Sequence, residues 1–231
     1  HVSTMRGAPL PMIIGDVIED LVTFYQVVRD EPALLAWATS GLVMRGVDKE
    51  AYLATRMEYN NRVNGSDPIQ RSARFFYLMR LCFNGVHRVN KAGDFNVPFG
   101  EKSGYRESVG KRRSCDAIGS LFPHKGKIEA AGRALSRAEI ICADFAVSVA
   151  QAGRGDAVFV DPPYDETYDG YSGSGFSAED QERLAAELRL ARERGAVVLA
   201  CNADTPRVRR LYAWCDVFET VERRSVNSDG E

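Results

Sequence analysis

Four short apolar runs constrain the fold of this 231-residue chain more than any other feature. Met12 to Asp16, Glu139 to Asp144 and Ala157 to Asp161 each end in an acidic residue, and Ala196 to Cys201 repeats the apolar pattern. Short strands that are apolar on both faces are typical of a parallel sheet covered by helices. The runs therefore predict four strands of a parallel sheet that is buried on both faces.

Helical patterns lie between several of these runs. Asp20 to Arg29 has helical spacing, and Ser177 to Arg194 opens on a sequence close to a capping box before Leu184, Leu188 and Ala191 recur on one face. Strands that alternate with helices are typical of α/β proteins. The chain is therefore predicted to form a doubly wound α/β domain.

A helix-rich stretch interrupts this alternation. From about Ala33 to Lys127 the strand pattern disappears, and helical segments give way to residues rich in Gly, Asn and charge. We predict a main domain of residues 1–32 and 128–231 with an inserted, mainly helical domain of residues 33–127. The formal net charge is -2, so any contact with nucleic acid has to come from a local basic face.

The tetrapeptide Asp161-Pro162-Pro163-Tyr164 directly follows the third apolar run. Ligands of open α/β sheets bind at the carboxyl ends of the strands, which would place this segment at the rim of a binding crevice. Its prolines have no N–H to donate, so the loop offers a carboxylate and carbonyls beside an aromatic ring. By itself, the tetrapeptide also fits a rigid turn at the end of a strand.

These groups suit the amino group of adenine, whose nitrogen is a poor nucleophile because its lone pair is delocalised into the ring. The Asp161 side chain and the Pro162 carbonyl would accept its two hydrogens while a methyl sulfonium approaches, and Tyr164 would stack on the base. A base inside a duplex has to be flipped out to reach such a pocket. Transfer of the methyl group would then depend mainly on positioning.

At this point the chain resembles the DNA adenine methylase (Dam) type of N6-adenine DNA methyltransferases. Besides Asp161 to Tyr164, the resemblance is most specific over Arg74 to Asn90, which contains Phe83-Asn84-Gly85, and over Gly93 to Gly100. It implies a Rossmann-like methyltransferase fold that depends on S-adenosylmethionine, in which the inserted domain is the target-recognition domain. The expected partner is double-stranded DNA, with GATC or a related short site as the target.

The resemblance also implies roles for individual residues. Phe83 and Asn84 would lie against the bases or against the gap left by the flipped adenine, and Val86 and Pro98 would make apolar contacts. Arg88 would read guanine, because a guanidinium can bond O6 and N7 together. Basic residues would hold phosphates, although an ordinary surface charge fits each of them as well. The predicted DNA-binding residues are Phe83, Asn84, Val86, Arg88, Asn90, Lys91, Pro98, Arg112 and Arg113.

Acidic strand ends match the cofactor pocket of the family. Asp16 would bond the ribose hydroxyls of S-adenosylmethionine, and Asp144 with Phe145 would contact its adenine moiety, while Asp161 would border the same pocket. The physical logic parallels the acidic residue that holds the ribose in dinucleotide-binding folds. Without the resemblance, Asp16 and Asp144 fit helix caps or loop residues equally well.

The chain departs from the family at its start. The family's aromatic-Pro-Gly-Gly-Lys segment and the Phe-x-Gly-x-Gly turn after its first strand are both missing from the sequence. We expect a sequence trimmed at both ends, in which the neighbours of that central strand are left without a partner.

Two other functions remain open. One is methylation of an amino group in RNA or in protein glutamine, and the other is a methyltransferase relic that binds DNA without catalysis. The histidines His1, His87 and His124 have no ligand spacing, so no metal is expected. No run of about 18 apolar residues is present and the five cysteines are scattered, so a cytoplasmic protein is expected. The resemblance implies a monomer in a bacterial or phage-infected cell.

Overall fold

The structure, a computed structural model, describes residues 11–62, 67–100, 122–165 and 176–221 as a mixed α/β arrangement. The strands are β1 (Met12–Asp16), β2 (Ala138–Cys142), β3 (Ala157–Val160) and β4 (Val197–Ala200). The helices are α1 (Glu19–Asp30), α2 (Pro32–Arg45), α3 (Lys49–Asn60), α4 (Pro68–Leu81), α5 (Lys125–Leu135), α6 (Phe145–Val149), α7 (Ala178–Glu193) and α8 (Pro206–Leu211).

The four predicted strands are confirmed, and their pairing is parallel. β1 pairs with β2 from Met12 opposite Ala138 to Asp16 opposite Cys142. β3 pairs with β4 from Ala157 opposite Val197 onwards. Within the described residues these pairs form two separate two-stranded sheets.

The predicted helices at Asp20 to Arg29 and Ser177 to Arg194 are confirmed as α1 and α7. Ser177 caps α7 by accepting a hydrogen bond from the Asp180 N–H, and the Asp180 side chain accepts the Ser177 N–H in return. This reciprocal capping box satisfies two backbone donors that the helix itself cannot satisfy. It therefore fixes where α7 begins.

The chain divides into two compact units, residues 1–144 and 145–231. In the first unit, α2, α3 and α4 share one core with α1, β2 and α5, centred on Leu35, Tyr52, Tyr77 and Leu78. The helix-rich region is thus packed continuously with the elements before and after it. The division into a main and an inserted domain stays a prediction.

The second unit packs α7 against the β3–β4 sheet. Leu184, Leu188 and Ala191 on α7 are buried, and Val158 of β3 lies against them. Successive side chains of a strand point to opposite faces, which leaves the alternate residue Phe159 64% exposed. The prediction that the strands are buried on both faces is therefore wrong for this sheet, because helices cover only one face of it among the described residues.

Candidate functional site

The tetrapeptide from Asp161 to Tyr164, here called the Asp161 loop, directly follows β3 as predicted. The Val160 carbonyl accepts the Cys201 N–H at 3.0 Å, so the start of the loop is tied to the end of β4. Asp161 is exposed. Neither its carboxylate nor the Pro162 carbonyl accepts a hydrogen bond from any residue that the structure describes. Two adjacent acceptors are thus available to a ligand.

The other side of the loop is bound tightly. The Pro163 carbonyl accepts a hydrogen bond from Gln181 Nε2 at 2.8 Å, and Gln181 is buried. The next residue, Asp165, is also buried, and its carboxylate accepts the Thr205 hydroxyl and Arg207 Nη1, each at 2.6 Å. The first two acceptors therefore have no partner among the described residues, while Pro163 and the following Asp165 are held by hydrogen bonds.

The acidic ends of β1 and β2 lie at one edge of the first sheet. The register places Asp16 opposite Cys142, two residues before Asp144, and the Ala143 N–H donates to the Asp16 carbonyl at 3.0 Å. Asp16 Oδ1 accepts the Ile18 N–H at 2.8 Å. Its Oδ2 has no hydrogen-bond partner among the described residues, so one carboxylate oxygen remains available.

Phe145 begins α6 in the second unit, directly after Asp144. Its ring lies 5.9 Å from the Phe176 ring, and the Arg183 guanidinium lies 4.2 Å from its centroid. A guanidinium over an aromatic face is attracted by the ring quadrupole. The half-buried ring is therefore packed against Arg183 of α7 and against Phe176, which precedes that helix.

Residues 82–100, here called the 82–100 hairpin, contain most of the predicted DNA-binding residues. The Phe83 N–H donates to the Pro98 carbonyl at 2.9 Å, and the Asn96 N–H donates to the Arg88 carbonyl at 3.1 Å. Isolated antiparallel bridges join Cys82 to Phe99 and Val89 to Phe95. Phe83, Asn84, Val86, Arg88, Asn90, Lys91 and Pro98 are thus brought onto one folded segment, whereas Arg112 and Arg113 lie outside the described residues.

A turn at Asn84 and Gly85 lies near the start of this hairpin. Asn84 has φ 53° and Gly85 has φ 66°, the left-handed region that Gly, and next to it Asn, adopts most readily. Both residues are exposed, and so is the neighbouring Phe83. The turn therefore presents an aromatic ring and a carboxamide to solvent together.

Arg88 is held from one side only. Its Nε donates to Asn96 Oδ1 at 2.8 Å, across the two arms of the hairpin. The terminal guanidinium nitrogens make no hydrogen bond to the described residues. Because the five donors of a guanidinium form a rigid planar fork, one bond at Nε orients the whole group.

The remaining predicted DNA-binding residues differ in their hydrogen bonds within the protein and in their exposure. Asn90 Oδ1 accepts the N–H groups of Ala92 and Asp94, each at 2.9 Å, so this side chain builds the tip of the hairpin. Lys91 and Pro98 are exposed, and Val86 is half-buried. Contacts of all these residues with DNA stay predictions.

Helix α3 supports the hairpin through residues that the motif analysis missed. The Tyr52 hydroxyl and Arg56 Nη1 donate to the Val97 carbonyl at 2.8 and 3.0 Å. Asn60 donates to the Phe95 carbonyl and accepts its N–H, both at 3.0 Å. Tyr52, Arg56 and Asn60 are spaced by four residues, which places them on one helix face. That spacing is the only signal in the sequence for this supporting role. Burial raises the pKa of the Tyr52 hydroxyl.

The described residues contain neither a metal-ion cluster nor a membrane-spanning helix. Within the described ranges, no three His, Cys, Asp or Glu side chains are grouped in a way that could hold a metal ion. No described helix is both long enough and apolar enough to cross a bilayer.

An Asp-Pro-Pro-Tyr loop that follows a parallel strand, with two acceptors unoccupied by any described residue, fits the class of methyltransferases that the sequence resembles. Residues 2–226 match the family described as D12 class N6 adenine-specific DNA methyltransferase. The chain belongs to this family. Adenine-specific DNA methylation is the activity of its class.

Three relatives of the chain are named as methyltransferases or methylases, two of them for adenine in DNA. It is 36% identical over 227 residues to the DNA N-6-adenine-methyltransferase of Escherichia phage P1, covering 95% of this chain and 28% of the phage protein. It is 33% identical over 226 residues to a Vibrio cholerae DNA adenine methylase, covering 94% of this chain and 74% of that protein. A type II methyltransferase of Methanocaldococcus jannaschii is 29% identical over 232 residues, covering 95% of this chain and 75% of that protein.

Proposed function

We propose that this chain transfers a methyl group from S-adenosylmethionine to the N6 amino group of an adenine flipped out of a short duplex DNA site. The observation that carries the proposal is the Asp161 loop, which directly follows a parallel strand and whose Asp161 carboxylate and Pro162 carbonyl accept no hydrogen bond from the described residues. The family match and the names of the relatives agree with it.

Asp161 and Pro162 would act on the target nitrogen directly. Each would accept one hydrogen of the amino group, which draws electron density toward the nitrogen and orients its lone pair. Because these acceptors are already in place, no reorganisation is needed when charge develops in the transition state. Tyr164 would stack on the extruded base and offset part of the cost of unstacking, about a few kcal/mol.

The strand ends of the first unit fit S-adenosylmethionine. Asp16 retains an acceptor oxygen that suits a ribose hydroxyl, and Asp144 follows the neighbouring strand at the same edge. Asp144 with Phe145 would lie toward the adenine moiety, and Asp161 would border the pocket. The cofactor, when bound, supplies the electrophilic methyl group on its sulfonium. The protein would contribute orientation and exclusion of water.

The 82–100 hairpin would read the target site. Arg88, oriented by Asn96, has its terminal nitrogens available for O6 and N7 of a guanine in the major groove. Phe83 and Asn84 at the exposed turn would face the bases, with Val86 and Pro98 in apolar contact. Lys91, Arg112 and Arg113 would hold phosphates, and Asn90 would contact DNA from the tip. GATC or a related site is the proposed target.

The finer architecture belongs to the same proposal. The two parallel sheets would be parts of a Rossmann-like methyltransferase fold formed by residues 1–32 and 128–231. Residues 33–127 would be its target-recognition domain. A monomer acting in the cytoplasm stays a prediction.

The test is transfer of radiolabelled methyl groups to duplexes with and without GATC, comparing the protein with its Asp161→Ala variant. Incorporation that is confined to GATC duplexes and lost in the variant would support both chemistry and target. Incorporation that follows single-stranded RNA instead would refute the substrate. A protein that retards duplex DNA in a gel, binds no S-adenosylmethionine and transfers no methyl group would be a relic, and the proposal would fail.

A further inference from the structure

A chain of side-chain amides connects the Asp161 loop to the body of the second unit. Gln181 Nε2 donates to the Pro163 carbonyl at 2.8 Å, and Gln181 Oε1 accepts Asn202 Nδ2 at 3.0 Å. Asn202 Oδ1 in turn accepts the backbone N–H groups of Asp165 and Ala203, at 2.9 and 2.8 Å. The connection therefore begins and ends on backbone groups around the loop.

The backbone groups at its two ends determine the direction of every hydrogen bond in this series of amides. Backbone N–H groups can only donate, so the side-chain oxygen of Asn202 has to face Asp165 and Ala203. Its NH₂ group then has to face Gln181, whose own NH₂ group is left to face the Pro163 carbonyl. A carbonyl can only accept, so both ends agree. A flip of the Gln181 amide would break two bonds, and a flip of the Asn202 amide would break three.

Burial makes the arrangement costly to break. Gln181 is 2% exposed although it is polar, and a buried amide is tolerated only when its donors and acceptors have partners. Gln181 lies in the first turn of α7, whose start is fixed by the Ser177 capping box. The donor that reaches Pro163 is thus anchored to a rigid element.

The two prolines constrain only part of the backbone of the loop. Proline rings fix φ at positions 162 and 163, so the ψ angles remain to decide where the carbonyls and the Tyr164 ring point. The bond from Gln181 fixes the Pro163 carbonyl and thereby the peptide plane that leads into Tyr164. The hydrogen bond from the Asp165 N–H to Asn202 fixes the far side of the same residue.

We infer that Gln181 and Asn202 are positioning residues, which hold the Asp161 loop so that the Pro162 carbonyl and the Tyr164 ring meet the target base. This inference rests on the proposed function and assigns to it two residues outside the Asp161 loop. Neither residue would touch the substrate. Both would act through the Pro163 carbonyl and the backbone of Asp165.

The test compares three variants of the protein with a matched control. Gln181→Leu removes the donor, Gln181→Glu keeps the shape but is an acceptor when ionised, and Asn202→Asp removes the bond to Gln181. Gln26→Leu is the control, because Gln26 Nε2 also donates to a backbone carbonyl, that of Ile140 at 3.1 Å, but on β2. Melting temperature, kcat, KM for duplex DNA and amide exchange are measured for each protein.

We expect kcat to fall about 10- to 100-fold in Gln181→Leu, the scale of a misplacement of about 1 Å, while KM for DNA changes less than about threefold. A protonated carboxyl can donate, so the kcat of Gln181→Glu relative to wild type should recover from about pH 8 to about pH 6. Amide exchange of the peptide containing Asp165 should accelerate in Gln181→Leu and Asn202→Asp but not in Gln26→Leu.

The outcomes separate the inference from the proposed function. If the unsubstituted protein transfers no methyl group to duplex DNA, the proposed function fails and the inference fails with it. If that protein is active but Gln181→Leu keeps its kcat, only the inference is overturned. The same conclusion follows if Gln26→Leu, at an equal loss of melting temperature, loses as much kcat as Gln181→Leu.

Discussion

The Asp161 loop and the 82–100 hairpin combine support and function in opposite ways. In the loop, the Asp161 carboxylate has no hydrogen-bond partner among the described residues. Hydrogen bonds made by Gln181, Asn202 and Thr205 stabilise the end of the loop and Asp165. In the hairpin, Arg88 is itself part of the hydrogen bonding that joins the two arms, and so is Asn90 at the tip.

This difference has a consequence for mutation. A side chain that supports nothing can be removed without loss of stability, so its replacement reports on chemistry alone. A side chain that also joins two arms of a hairpin reports on folding and recognition together. Variants in the two regions should therefore differ in how closely stability and activity change with each other.

The largest effect is expected for Asp161→Ala in the loop. The variant loses one of the two acceptors for the amino group, and we expect kcat to fall about 10²- to 10³-fold, the scale of removing one group that stabilises a transition state. The melting temperature should stay unchanged, because the Asp161 side chain makes no hydrogen bond to the described residues. Single-turnover methyl transfer and thermal unfolding measure the two quantities.

A marked drop in melting temperature of Asp161→Ala would show that Asp161 also stabilises the loop. The proposed difference between the Asp161 loop and the 82–100 hairpin would then not hold. Glu182→Ala is a suitable control, because Glu182 is also an exposed carboxylate of the second unit without a partner among the described residues. It should keep both kcat and melting temperature.

Arg88→Ala in the hairpin is expected to have the next largest effect. Losing a bidentate contact with guanine costs about 1–3 kcal/mol of discrimination, so kcat/KM should fall on the cognate duplex and much less on duplexes changed at that guanine. Stability should also fall slightly, because Asn96 Oδ1 loses its donor. Methylation of a panel of single-substitution duplexes, together with thermal unfolding, checks both effects.

Arg80→Ala supplies the comparison for Arg88→Ala, because Arg80 is an exposed arginine in the last turn of α4 to which no base contact is assigned. Equal losses on all duplexes for Arg88→Ala would assign Arg88 to phosphate binding instead of guanine reading.

Much of the fold could be predicted because its signals are local. The four strands, α1 and the capping box of α7 come from hydrophobic periodicity and from residue types at helix starts, which depend on neighbours in sequence. The pairing of strands into two separate sheets depends on residues far apart in the chain. Local patterns carry no record of that pairing, and the prediction of burial on both faces failed at Phe159 for the same reason.

The candidate site divides in the same way. Asp161 to Tyr164 and Phe83 to Gly85 were predicted from motifs, which record the residue types that the chemistry needs. Gln181 and Asn202 lie 21 positions apart, and each by itself is an unremarkable amide in a helix or a loop. Only the folded structure shows that Asn202 bonds to Gln181 and that Gln181 bonds to the Pro163 carbonyl, so sequence reasoning had no local feature to use.

Asn60→Ala tests the support of the hairpin by α3. It leaves both backbone groups of the buried Phe95 without their present partner, so we expect a loss of about 1–3 kcal/mol in the free energy of unfolding. The neighbouring exposed Asn61→Ala should change it by less than about 0.5 kcal/mol. Denaturant unfolding gives the stabilities, and KM for duplex DNA should rise for Asn60→Ala only.

Stability retained in Asn60→Ala would mean that the hairpin arms support themselves. The four-residue spacing of Tyr52, Arg56 and Asn60 would then be incidental to the hairpin. The difference between the two regions would then be larger, because the Asp161 loop is stabilised by other residues and the hairpin by its own.

The smallest effect is expected at alkaline pH, through Cys82 at the base of the hairpin. Burial raises the pKa of this thiol from 9.0 to about 11. Between these values the unfolded chain releases the proton while the folded chain keeps it, so stability is complete below pH 9 and falls as pH rises toward 11. At about pH 9.5 the free energy of unfolding is lower by about 1 kcal/mol. Denaturant unfolding at a series of pH values should therefore show a shallower decline for Cys82→Ala than for wild type, and parallel declines would assign the alkaline sensitivity to the buried tyrosines instead.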